Sequence, residues 1–243
     1  LVAGVLAEFA PAPLATPYVL FAVVLVGLTG LVLASPETVD RELDVAAPAR
    51  FALRPGGRRA FVGAAAVGFF SFAVMGLFSS LGAVLVHGVL GIRSHLVSGL
   101  APFALFAASA VAQLALARLS RSRMLITGVV LFPVGLLLTV VALCHPALWL
   151  YLTAAAVAGA GAGLLFKAAT GQGMAAAAHE SRAGVLAVYF VIAYIGMGLP
   201  SIAFSIVSAR TGLLPAMIGF AVLLSVGTMI SVAVSVTGDT RKS

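Results

Sequence analysis

PETVDRELDVAAPARFALRPGGRR, Pro36 to Arg59, is the one long polar interval in a chain that is otherwise almost wholly apolar. It carries five arginines (Arg41, Arg50, Arg54, Arg58, Arg59), four acids (Glu37, Asp40, Glu42, Asp44) and three prolines. Ionised groups are costly in hydrocarbon, and the interval has too little apolar surface to build a core of its own. It reads as a loop joining two membrane-embedded segments.

The rest of the composition agrees. Of 243 residues, 62% are apolar and 9% charged, and the mean hydropathy is +1.19, whereas soluble domains carry about 25% charged residues. A water-soluble fold would have nowhere to put this surface. The 26 glycines and 11 prolines fall largely inside or beside apolar runs, a usage that membrane helices tolerate because neighbours satisfy the freed backbone groups. The fold class is all-α integral membrane, with the lipid bilayer as the first partner. The formal charge of +7 does not point to nucleic acid, because phosphate-binding cations cluster on one soluble face, and these punctuate hydrophobic segments instead. The single cysteine, Cys144, excludes an internal disulfide.

Upstream of the loop lie a half-span, Leu1 to Phe9, and one full span, Tyr18 to Ala34. Downstream lie six runs, Phe61 to Val86, Leu96 to Ala117, Met124 to Leu143, Leu148 to Phe166, Gly184 to Ser208 and Leu213 to Val236. A helix crosses the bilayer with about 20 residues, so the expectation is one half-span plus seven transmembrane helices. The half-span begins inside a helix, and the chain is expected to be N-terminally truncated. Residues 1–35 read as the end of an N-terminal bundle, 36–60 as the central loop, 61–236 as a six-helix C-terminal bundle and 237–243 as a tail.

Alternating the loops puts twelve basic residues on one side, among them Arg54, Arg58, Arg59, Arg118, Arg121 and Arg123, and only Arg93 and Arg210 on the other. This positive-inside asymmetry predicts a cytoplasmic central loop and C-terminus in the cell membrane, plasma or inner.

The order of the segments resembles the latter part of a major facilitator superfamily transporter, from the end of helix 5 through helix 12. LVAGVLAEFAPAP is similar to the end of the fifth helix and SPETV to the exit from the sixth. AGAGAGLLF resembles the tenth helix, and RAGVLAVYFVIAYIGMGLP the start and middle of the eleventh. RLSRSR, Arg118 to Arg123, resembles the basic inter-helix motif of the family but lacks its aspartate. The resemblance implies a secondary active transporter that moves a small molecule by alternating access, export of amphipathic compounds being one form. It also implies further N-terminal helices of the same protein as partners, without which residues 1 to 243 are expected to be inactive. Inverted three-plus-three repeats within the six helices are expected as well.

Chemistry-bearing residues are sparse. The four histidines lie in loops on both sides without a carboxylate on a shared face, so neither metal nor cofactor is expected. No catalytic constellation is expected either; the compact polar trio His179, Glu180 and Arg182 would have to serve an integral-membrane enzyme, the alternative class beside a non-transporting anchor. Helical periodicity aligns Ser71, Met75 and Phe78 on one helix, Phe106 and Gln113 on the next, and Tyr194 and Ser201 on a third, as candidates for a substrate path. Each hydroxyl among them has the competing role of bonding its own backbone. Gly159 and Gly163 are spaced for close helix packing, and Gly196, Gly198 and Pro200 mark the expected bend. Lys167 sits near a helix end, where its stem can snorkel, and Glu8 near the opposite end of the half-span.

Overall fold

A computed structural model of the chain describes residues 2–10, 12–13, 15–36 and 51–237. Of the predicted features, Leu1, the loop residues Glu37 to Arg50 and the tail residues Arg241 and Lys242 lie outside the described residues. Among the described residues the fold is all-helical: α1 (Val2–Phe9), α2 (Thr16–Leu33), α3 (Arg58–Ala83), α4 (His95–Ala115), α5 (Arg121–Cys144), α6 (Leu148–Ala176), α7 (Arg182–Thr211) and α8 (Leu213–Thr237). Seven of these, α2 through α8, are long and apolar enough to cross a membrane.

Boundaries follow local chemistry. Ser94 and Ser120 cap α4 and α5 in the extended conformation, their hydroxyls accepting from Val97 and Arg123 amides at 3.2 and 3.5 Å. Gly212 alone separates α7 from α8, at φ +90°, a conformation that only glycine adopts cheaply. Two boundaries differ from the sequence reading. The run Leu148 to Phe166 was expected to stop at Lys167, yet α6 continues to Ala176, because Ala168, Ala169, Gln172, Gly173 and Ala176 are buried against neighbours. One end of α3 runs on into a π-helical turn, Val84–Val89, that carries His87. The expected bend at Gly196 to Pro200 leaves α7 one unbroken helix from Arg182 to Thr211.

Helices α3 to α8 form one bundle. Helix α3 packs chiefly on α7 and α6, and α6 chiefly on α5 and α4. Exchanging α3 with α6, α4 with α7 and α5 with α8 maps α3–α7 onto α6–α4, α3–α8 onto α6–α5 and α3–α4 onto α6–α7, all of them observed. Contact between α7 and α8 lacks a comparable α4–α5 counterpart. Helix α1 packs on α4, and the main packing partner of α2 is α1.

Lipid tails are as apolar as leucine, so helices in a bilayer associate through close packing and polar contacts rather than through the hydrophobic effect. Small residues supply the close packing. A Cβ at Gly159 would overlap the Leu105 carbonyl of α4, and one at Gly163 would come within 2.8 Å of the Ser109 carbonyl. On the α5–α6 seam Gly135 of α5 abuts Ala158 of α6, and a Cβ at Gly161 of α6 would stand 2.6 Å from the Phe132 amide of α5. On the α3–α7 seam Gly76 and Gly196 lie against the Met197 and Phe69 carbonyls. Large apolar side chains point outward instead, from Tyr18 to Leu33 of α2 and from Val191 to Val207 of α7, which suits hydrocarbon.

The polar contacts gather at helix ends, where four carbonyls lack an intrahelical donor. At one end of the bundle the Ala176 carbonyl of α6 accepts from the Arg54 amide at 3.0 Å. There Leu53 forms a β-bridge with Ala177, docking residues just before α3 onto the α6–α7 turn. The Gln113 carbonyl, near the end of α4, accepts from Lys167 Nζ at 2.6 Å, and the Ser235 carbonyl of α8 from Gln172 Nε2 at 3.1 Å. These contacts bring Arg54, Arg58, Arg59, Arg118, Arg121, Arg123, Lys167 and Arg182 to one end of the bundle. Glu8, Arg93, His95 and Arg210 lie at the other.

Candidate functional site

An aromatic cluster joins α3, α6 and α7. Phe72 meets Phe166 at 5.2 Å between ring centroids and Tyr194 at 5.5 Å, the latter edge to face. Phe166 also lies 6.0 Å from both Tyr189 and Phe190, and Phe190 lies 6.2 Å from Tyr194. Room for Tyr189 comes from Gly68, whose Cβ position falls 2.7 Å from the Tyr189 hydroxyl. That hydroxyl shares a hydrogen bond with Thr170 at 3.2 Å, so this polar end is satisfied inside the bundle. Phe72, Phe166 and Phe190 are half-buried, while Tyr194 is 61% exposed and presents both ring and hydroxyl. The accessible rings therefore form a wall suited to stacking on an apolar or planar group.

A second cluster sits on the other flank of α6. Successive residues on a helix diverge by about 100°, so Lys167 points away from the ring of Phe166. Its ammonium goes to the Gln113 carbonyl, while Gln113 Nε2 donates to Ser109 Oγ at 3.2 Å. Among the described helices Lys167 is the one charged residue more than three positions from a helix end. In place of simple snorkelling, it serves as a cation at the C-terminal carbonyls of α4, a favourable position in the helix dipole. Lys167→Met is expected to loosen the α4–α6 pair by about 1–2 kcal/mol, the scale of a lost charged hydrogen bond discounted for partial exposure. Unfolding of the purified protein in mixed micelles measures it, and an unchanged midpoint would contradict this role.

The sequence candidates divide accordingly. Tyr194 joins the ring cluster, and Gln113 joins the lysine cluster. Phe106, seven positions before Gln113 and so on the same face of α4, is exposed. Helices α4 and α7 do not pack substantially on one another, so these two groups occupy separate walls. Ser71, Met75 and Phe78 are fully or almost fully buried in helix packing. The Ser71 hydroxyl donates to the Val67 carbonyl at 2.8 Å, and Phe78 stacks on Tyr151 at 5.8 Å. Ser201 is half-buried and donates to the Met197 carbonyl at 2.8 Å. Gly159, Gly163 and Gly196 lie in packing seams, a Cβ at Gly198 meets open space, and Pro200 sits within α7. His179, Glu180 and Arg182 lie exposed around the turn into α7.

Sequence reasoning missed Phe72, Phe166, Phe190 and Gln172. The phenylalanines are indistinguishable from lipid-facing residues until three helices are placed together. Gln172 was hidden by ending α6 too early, although a glutamine in an Ala/Gly-rich stretch is a legible sign of a buried polar tie.

Two crevices lie elsewhere. One of about 380 Å³ between α5 and α8 is walled by Pro133, Leu137, Val140, Ile218 and Met229, with Ser225 its one hydroxyl. So apolar a lining suits an acyl chain better than a ligand that must be oriented. Another, of about 490 Å³, lies beside Phe51, Arg54, Arg58 and Phe61, next to chain outside the described residues. Compared with known proteins, the chain matches no family model and no curated protein closely enough to count as a relative.

Proposed function

We propose that the protein is a secondary transporter of the major facilitator type, in which α3 to α8 form one of two bundles that rock about a midplane site. The observation that carries this reading is the near-symmetric packing of α3–α4–α5 against α6–α7–α8, since many transporter folds are built from such paired three-helix repeats. Helices α4 and α7, related by that exchange, leave outward faces that include Phe106 and Tyr194 uncovered, where a second bundle would close over the ring cluster. In this reading α1 and α2 belong to that second bundle. The end carrying Arg54, Arg58, Arg59, Arg118 and Arg121 lies in the cytoplasm by the positive-inside rule.

The substrate is a small amphipathic molecule whose planar part stacks on Phe72, Phe190 and Tyr194. Flux of amphipathic aromatic compounds into or out of proteoliposomes holding the full-length gene product tests the reading. Transport that depends on an ion gradient is the expected result, and the absence of movement for every compound of the class would overturn it. Tyr194→Ala is expected to weaken apparent affinity roughly fivefold, the equivalent of about 1 kcal/mol for one lost aromatic pairing. An unchanged KM in that variant would remove the ring cluster from the substrate path.

A further inference from the structure

We propose that Glu8 is the releasable half of a latch between α1 and α4, and that opening it lets α1, with α2 packed on it, swing away from the six-helix bundle. Three donors at the start of α4 converge on one carboxylate oxygen of Glu8: the His95 amide at 2.9 Å, the Ser94 hydroxyl at 3.3 Å and the Leu96 amide at 3.5 Å. A carboxylate at this position answers both the unpaired amides of a first turn and the positive end of the helix dipole. One turn earlier, Gly4 lets α1 approach closely, since a Cβ there would stand 3.0 Å from the His95 carbonyl and 3.3 Å from Leu96 Cα.

The latch is one-sided because α3 and α6 hold α4 to the bundle independently of α1. The middle of α4 is seated on α6 through Gly159 and Gly163, and its far end is held by Lys167, also from α6. Its first turns also lie against α3, where a Cβ at Gly82 would stand 3.1 Å from the Ser98 carbonyl, and α1 meets the same end through Gly4 and Glu8. None of the residues of α1 is buried, so the short helix is held on α4 by the close approach at Gly4 and by the Glu8 carboxylate. Helix α2, packed chiefly on α1, follows it. When the contact breaks, α4 stays with α6 and the α1–α2 pair departs. In a transporter this contact is the closure at the Arg93 end; that meaning rests on the function proposed above, whereas the latch is read from geometry and not from flux.

Pulsed electron paramagnetic resonance between spin labels at Phe9→Cys and Phe103→Cys, both exposed positions, tests it in the whole chain in nanodiscs with Cys144→Ser. With Glu8 intact a short distance dominates. Glu8→Gln, which keeps an acceptor and loses the charge, raises the share of longer distances about two- to fivefold, the factor set by a terminal charge on a helix dipole, and Glu8→Ala raises it further. Raising ionic strength from about 0.1 M to about 1 M, which cuts the screening length from about 10 Å to about 3 Å, lengthens the distances with Glu8 present and leaves Glu8→Ala unchanged. The salt arm uses the native residue and needs no folded variant. Distances that ignore both the substitution and the salt would overturn the latch while leaving transport open, and a failed flux assay with responsive distances would do the reverse.

Discussion

Gly159→Ala is expected to destabilise the bundle by about 1–3 kcal/mol, the range for forcing an extra methyl into a close-packed seam. Alanine normally favours a helix over glycine by roughly 0.5–1 kcal/mol, so the expected sign is the reverse of the propensity. The reason is the neighbour. The added methyl meets the backbone carbonyl of Leu105, which cannot rotate aside as a side chain can, and α4 must move off α6 to admit it. Gly198→Ala is the matched control, because nothing lies within 4 Å of its Cβ position, and it should show the propensity gain alone, about 0.5–1 kcal/mol. Reversible unfolding in mixed micelles, followed by far-ultraviolet circular dichroism, compares the two. Equal midpoints for both variants would mean that the α4–α6 seam is not close-packed.

The second large effect is expected at Gln172, which is 2% exposed and ties α6 to α8, two helices that otherwise pack little on each other. Its amide nitrogen donates to the Ser235 carbonyl at 3.1 Å, and its amide oxygen accepts the Ser235 hydroxyl. Gly63 of α3 makes this reach possible, since a Cβ there would come 3.0 Å from Ser235 Cα. Gln172→Ala removes both hydrogen bonds and opens a cavity, with an expected cost of about 2–3 kcal/mol. Ser235→Ala leaves the amide oxygen without its hydroxyl and should cost about 1–2 kcal/mol, near the upper end for polar pairs in membrane bundles. In the double variant the costs should fall short of their sum, as coupled partners require. Additive costs would show that the two side chains do not act as one tie.

The candidate site was partly legible in advance. Tyr194 and Gln113 stand out in any apolar helix because a ring hydroxyl and a carboxamide are costly to leave unpartnered in hydrocarbon. Their partners were not legible, since Phe72, Phe166 and Phe190 carry no chemical mark that separates a wall of a site from a lipid-facing surface. The stripe of Ser71, Met75 and Phe78 shows the converse. It has the periodicity of a path, yet its residues sit in helix packing, where a serine can satisfy itself on the carbonyl four residues back. Lys167 illustrates a third case. The charge read as a helix end, but the helix continued because the residues after it are small and buried.

Hydrophobic run length and the polar interval at Pro36 to Arg59 determined by themselves that the fold is helical, that the described residues hold seven helices able to span a membrane, and roughly where each lies. That follows because, in hydrocarbon, each segment must satisfy its backbone internally, so element type is set locally. Which helices touch is not a local property. Between apolar helices in lipid no burial gradient selects a neighbour, and the choice falls to a few glycines and end-carbonyl contacts that act across long stretches of chain. Only the tertiary structure decided that Gly159 faces Leu105, that Gln172 reaches Ser235, that Glu8 holds the start of α4, and that four rings from three helices form one wall.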